Sequence, residues 1–211
     1  MSPLLQLTED QRDCLQEVSN IAMGQAGASL AEFLGVFIQL SVPRIRLVDY
    51  HDVAQGLHQL ASGRTDVSAV RQGFHASTLS EGLRGEAIVV FSDTSFKELA
   101  DLMASDEDGS KNSEVELLLD ITNILNGACL SGIAEQLGTE LDYAPPSLID
   151  HQIPASRIMP QEQTTWTQAL LIEIKYSLER RAFACDLLLL MPDDSIRSMI
   201  ASVDRILESF S

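Results

Sequence analysis

Apolar residues recur at helical spacing over two long stretches, and at strand spacing in the segments after each. Leu15, Val18, Ala22, Ala26, Leu30 and Phe33 lie three or four residues apart, the period of one helix face. Thr8 followed by Glu9, Asp10 and Gln11 is a capped helix start, and Gly35 suits a left-handed stop. A helix from about residue 9 to 34 is predicted. Leu118, Ile121, Leu125, Cys129 and Ile133 repeat the period and predict a second helix from about Ser113 to Leu137, ended by Gly138. Val36 to Tyr50 is rich in β-branched and aliphatic residues and predicts a strand broken at Pro43. Ser68 to Leu79 and Leu83 to Phe91 predict a hairpin turning near Glu81 and Gly82, and Trp166 to Leu178 and Arg181 to Met191 a second, with Arg180 and Arg181 at its tip. Residues 139–165 hold Pro145, Pro146, Pro154 and Pro160 and predict irregular or edge structure. Ser92 to Ala104, and Asp193 to about residue 209, predict shorter helices. Residues 105–112 are polar and read as a connector.

The predicted order is therefore the same twice: long helix, strand, hairpin, short helix. The polar positions repeat as well. Asp13, Glu17 and Asn20 are followed after twenty-two residues by Pro43, and Glu116, Asp120 and Asn123 after twenty-two residues by Pro146. Each position of the second set stands 103 residues after its partner. Leu15, Ile21, Gly24, Ala31, Glu32, Leu34 and Gly35 recur at the same offset. Phe91, Ser92 and Asp93 face Met191, Pro192 and Asp193 at an offset of 100, so the halves differ by a small indel. A repeat of this length is too long for a solenoid unit and reads as a duplicated half-domain with pseudo-two-fold symmetry. Hairpins imply antiparallel pairing. The expected fold is α+β: one merged antiparallel sheet with the two long helices packed on it, residues 1–211 forming a single domain of half-repeats about 8–104 and 113–210.

Charge narrows the function classes. The net charge of −17 and pI near 4.4 oppose nucleic acid, which requires clustered Lys and Arg, and oppose an anionic membrane surface. That charge also argues against reading residues 14–35 as a helix-turn-helix. Cys14, Cys129 and Cys185 are scattered within apolar runs and read as reduced, buried thiols without zinc spacing. The N-terminal residues lack the pattern of a signal peptide, no apolar run reaches the length of a membrane span, and a cytoplasmic location is expected. Asp106 and Asp108 match only the start of a calcium loop, with the later ligands missing. His51, His58, His75 and His151 have no metal-pair spacing and read as surface or edge residues.

With each residue advancing roughly 100° around a helix, Asp13, Glu17, Asn20 and Gly24 share a narrow stripe opposite the apolar face. Glu116, Asp120, Asn123 and Gly127 do the same on the second helix. An acid and an amide one turn apart are ordinary on a solvated helix face; the duplicated spacing to a proline is not. On a convex helix this pair has no nucleophile, metal or pocket of its own. It can act by insertion into another protein's active site. There an Asn carboxamide, with its donor and acceptor, can hold a water in line for attack, the task a Gln performs in GTPases. The acid can pair with a cation of the partner, and the glycine leaves room for close approach.

The motif of acid or Ser, then Glu, then Asn, then Pro after twenty-two residues, present twice over about residues 8–210, resembles the CheC branch of the CheC/CheX/FliY chemotaxis phosphatases. The resemblance implies a hydrolase acting on the phospho-aspartate of a CheY-type response regulator in two-component signalling. It implies that Asn20, and its counterpart Asn123, position the hydrolytic water, and that Glu17, with Asp120 as counterpart, binds the regulator's active-site Lys. The chain would need no cofactor of its own, the Mg²⁺ belonging to the regulator. CheD is a further partner the resemblance implies. The second motif departs from the pattern at Glu116 and at Asp120. Asp is one methylene shorter than Glu, and a misplacement of ~1 Å can cost ~100-fold in a positioned reaction. The Asp120 site is thus either weak or served by a closer-docked partner. The alternative function is a non-catalytic binding module of the flagellar-switch (FliM) type, or a CheD-binding regulatory protein.

Overall fold

The computed structural model describes residues 5–49, 52, 67–77, 82–92, 114–153, 168–178 and 183–209. In chain order these form α1 (Glu9–Leu34), β1 (Ile38–Leu40), β2 (Arg44–Asp49), β3 (Val67–Ala76), β4 (Arg84–Ser92), α2 (Glu114–Leu137), β5 (Leu141–Tyr143), β6 (Ser147–Ile153), β7 (Gln168–Leu178), β8 (Ala184–Pro192) and α3 (Asp193–Ser209). Ser92, the predicted start of a helix, is the last residue of β4; the rest of that predicted helix at 93–104, the connector with Asp106 and Asp108, His51, His58, and Arg180 with Arg181 lie outside the described residues.

Local signals set the helix ends. Thr8 and Gln11 form a reciprocal capping box: the Thr8 hydroxyl accepts from the Gln11 N–H at 3.2 Å, and the Gln11 side chain accepts from the Thr8 N–H at 3.0 Å. Gly35 at φ 64° and Gly138 at φ 65° end α1 and α2 in the left-handed region, where a Cβ is penalised. The prolines act as expected of edge breakers. Pro43 separates β1 from β2. Pro145 and Pro146 separate β5 from β6, so the stretch read as irregular or edge structure holds two edge strands on either side of its prolines.

The sheet is antiparallel, in the order β1-β7-β8-β4-β3-β5, with β2 also on β7 and β6 also on β3. Its pairings cross between the halves. β1 and β2 lie on β7, with Ile38 opposite Leu178 and Arg44 opposite Glu173. β5 and β6 lie on β3, with Leu141 opposite Ala76 and Ser147 opposite Arg71. The two registers match when β1 and β2 are advanced by 103 residues and β3 by 102. β4 pairs β8 at the centre. Each half thus gives its first strands to the other half's hairpin, and the merged sheet is an exchange.

Strand alternation sorts the core into two faces. Ala87, Val89 and Phe91 of β4, with Leu187, Leu189 and Met191 of β8, join the main core with Leu15, Ala22, Leu30, Leu118, Ile121 and Leu125 of the long helices and Ile196 and Met199 of α3. Ile88 and Val90, with Leu188 and Leu190, enter a smaller cluster on the opposite face. Both faces of the central strands are buried, which explains why their sequences are unbroken apolar runs. α1 and α2 approach closely. A Cβ on Gly132 would stand 2.8 Å from the Ala22 Cα, and one on Gly27 would stand 2.9 Å from Leu40 of β1.

Two expectations need correction. Phe33 is 37% exposed; the last turn of α1 contacts the core through Leu34 instead. Val115–Leu137 is long and apolar enough by composition to cross a membrane, contrary to the reading that no segment is. Continuous runs were the wrong test, because α2 carries its polar residues interspersed. In the fold 61% of that window is buried, and α2 lies against α1 and the sheet as a core helix.

Candidate functional site

The expected stripes are where the helical period puts them. Leu15, Val18 and Ala22 of α1, and Leu118, Ile121 and Leu125 of α2, are buried. Their opposite faces carry Asp13 and Glu17, and Glu116, Asp120 and Asn123, all exposed. Asn20 is half-buried. Among the described residues, Glu17, Asn20, Asp120 and Asn123 have no hydrogen-bond or ion-pair partner within the chain. Four polar side chains stand on two long helices with their bonding capacity unspent among the described residues. A Cβ placed on Gly24 or Gly127 would meet nothing within 4 Å. These glycines leave the surface open just beyond each amide, and no packing among the described residues requires them.

The flanks of the two stripes differ. Beside the first, a groove of about 780 Å³ runs between α1, the Pro43 break and β7. Arg12 and Gln16 of α1 line it, and Asn20 follows them at the i, i+4, i+8 positions of one ridge. From the other side come Arg44, Arg46 and Lys175. Arg46 is bonded to Glu173, which is buried. Arg12, Arg44 and Lys175 are exposed and, among the described residues, their side chains have no partner. Pro43 is buried in the groove wall, whereas Pro146 is only half-buried. This cluster was not visible in the sequence, because its members are far apart in the chain and the net charge points the other way. The one local signal is the alternation Arg44, Ile45, Arg46.

The interior holds polar groups that periodicity did not single out. Ser19 and Thr122, equivalent by the repeat, are both buried. The Ser19 hydroxyl donates to the Leu15 carbonyl at 2.7 Å. Asn126, equivalent to Met23, is fully buried and its amide has no partner, an arrangement that costs about 1–3 kcal/mol. Cys129 and Cys185 are buried free thiols and Cys14 is half-buried. Burial pushes the Cys129 thiol up to about 12 and raises that of Cys14, so both sit in the unreactive thiol form at neutral pH. Tyr176 is raised well above its ordinary value, by burial first and then by Cys129 and Cys185. No group of three His, Cys, Asp or Glu among the described residues could hold a metal ion. His75 is exposed on β3, 3.9 Å from Asp142.

No family profile matches the chain. It is 27% identical over 142 residues to a protein of Halobacterium salinarum named "Putative CheY-P phosphatase CheC1", an alignment covering 64% of this chain and 68% of that one. The fold is similar to that of Thermotoga maritima FliY, with a TM-score of 0.66 and 19% identity over 95% of this chain and 99% of that one. It is also similar to the FliM middle domain from H. pylori, with a TM-score of 0.59 and 9% identity over 93% and 99%.

Proposed function

We propose that the chain is a CheC-type phosphatase of the CheC/CheX/FliY family of chemotaxis proteins, hydrolysing the phospho-aspartate of a CheY-type response regulator. The observation that carries this reading is the pair of stripes on which Glu17 with Asn20, and Asp120 with Asn123, have no partner among the described residues. One such amide is ordinary, but two at equivalent helix positions, each followed by a glycine open to the outside, suit a helix that docks into a cleft.

The chemistry follows from the side chains. Glu17 meets the cation beside the regulator's phosphorylated carboxylate and fixes the approach by a charge-assisted bond. The Asn20 carboxamide then holds a water in line with the phosphorus, its carbonyl accepting from the water and its N–H₂ donating toward the phosphoryl oxygens. Water attacks phosphorus, the acyl-phosphate bond breaks, and the regulator's aspartate and inorganic phosphate leave. Asp120 and Asn123 have the same roles at the second stripe, with shorter reach. We place the protein in the cytoplasm with its substrate, and CheD remains a candidate second partner, to be tested by co-purification.

The test is direct. A phosphorylated CheY-type regulator mixed with the protein should lose phosphate faster than alone, and the Asn20→Ala, Asn123→Ala double variant should abolish the acceleration while keeping its fold. Unchanged hydrolysis by the double variant overturns the mechanism. The likeness to a FliM middle domain favours one competing reading, a module that binds without hydrolysis. Tight binding of the regulator with no loss of phosphate from wild-type protein would establish that instead.

A further inference from the structure

The cations of the groove beside the first stripe are not repeated at the equivalent positions beside the second. The repeat offsets carry Arg12 to Val115, Arg44 to Ser147 and Arg46 to Ile149. In β3, which matches β7 at an offset of 102, Lys175 corresponds to Gly73. Not one of the four cations is repeated. Glu173, the partner of Arg46, corresponds to Arg71. Two backbones of the same plan therefore carry differently placed charges, four cations lining the first groove and, among the equivalents of these residues, Arg71 alone beside the second.

Chance does not readily leave cations free here. The chain has 31 acids for 14 Lys and Arg, so an exposed cation has many possible partners. Arg84 and Arg197 do find one, both reaching Asp194. Arg12, Arg44 and Lys175 instead converge on one groove with no partner among the described residues. Two buried acids also line the groove: Glu173, neutralised by Arg46, and Asp186, which is engaged within the chain. The groove is also continuous with the first motif, since Asn20 continues the ridge of Arg12 and Gln16.

We propose that this groove is a docking surface for an acidic stretch of the protein that the first stripe engages, and that it makes the first stripe the site of encounter. The identity of that partner as a phosphorylated regulator rests on the phosphatase reading; the acidic character of the docked segment rests on the groove alone. Unpaired surface cations act mainly on association and its salt dependence. A net charge of −17 would otherwise repel any acidic partner, and the groove supplies a local field of the opposite sign.

The experiment measures binding of a phosphorylated CheY-type receiver domain to the full chain at rising salt. It compares the triple variant Arg12→Gln, Arg44→Gln, Lys175→Gln with a control triple of equal charge change away from both stripes, Arg84→Gln, Arg197→Gln, Arg205→Gln. The groove triple should weaken binding about tenfold at low salt and flatten its salt dependence, with the effect on hydrolysis falling on KM more than on kcat. The control triple should keep the wild-type salt slope. Repeating the titration with Asn20→Ala protein separates the two proposals. Binding that depends on the groove, without hydrolysis by wild type, keeps the groove and removes the phosphatase. Hydrolysis whose KM is equal in both triples keeps the phosphatase and overturns the groove. A receiver that does not bind wild-type protein at all overturns both.

Discussion

The first and second motif helices carry the same polar spacing on different ground. On α1 the amide of Asn20 is half-buried, the acid is the longer Glu17, the proline is buried and the flank is basic. On α2 the amide of Asn123 is exposed, the acid is the shorter Asp120, the proline is half-buried and none of the four groove cations stands at its equivalent position. The backbone plan is nonetheless held, as the matching registers of β1 on β7 and β5 on β3 show. The difference teaches that a duplicated fold can conserve a chemical stripe while its surroundings diverge. Whether both stripes work is decided by what lies beside them.

The comparison breaks first at the amides. Asn20→Ala should lower phosphatase activity roughly 10²-fold, the scale for losing a group that positions a reactant, and Asn123→Ala should lower it far less. If Asn123→Ala abolishes most of the hydrolysis and Asn20→Ala does little, the ranking is reversed. Next come the acids. Glu17→Gln should cost about 1.5–3 kcal/mol of regulator binding, read by titration with the phosphorylated regulator, and more than Asp120→Asn costs. Lengthening the second acid sharpens the same point: in an Asn20→Ala background, Asp120→Glu should raise hydrolysis. No gain, or a loss, would mean that the second site is adapted to its shorter acid.

The glycines give a smaller effect with an opposite sign in stability. Gly24→Ala should stabilise α1 by about 0.5–1 kcal/mol, because the new methyl meets nothing in the chain. It should weaken docking by about 1–3 kcal/mol, as a methyl forced into a close contact does. Gly127→Ala should stabilise equally, with less effect on activity. A thermal melt and an activity assay on the same samples check both. The smallest effect is in the thiols. Cys14 should be modified by a thiol reagent in the native protein well before Cys129, whose buried thiol holds its proton up to about 12. Above pH 9 the unfolded chain ionises this thiol and the folded one does not, so stability should fall between about pH 9 and 12, and Cys129→Ala should lessen the slope.

Much of the fold could be read from residue pattern. The limits of α1 follow from Thr8, Gln11 and Gly35, since caps are local chemistry, and the hairpins follow from Val, Ile and Leu runs ended by turns. The site stripes follow from the same period. The crossing of β1 and β2 onto β7 was not readable, because strand partners are chosen by tertiary packing and a strand's own sequence does not name them. Phe33 fits the apolar stripe by angle, but the last turn of α1 meets the core through Leu34. The basic groove draws Arg12, Arg44 and Lys175 from three separate elements, and one number for net charge conceals such local concentration.

The exchange of strands has a consequence in time. Ile38 pairs with Leu178, 140 residues later in the chain. At roughly 5–20 residues per second of synthesis, β1 waits on the order of 7–28 s after leaving the ribosome before its partner exists. α1 can form at once, but its apolar face cannot be covered by the completed sheet during that interval. The order of synthesis thus leaves the first motif helix and its two edge strands to chaperones or to their own solubility. The strong negative charge of the nascent chain is one physical means of keeping such segments apart.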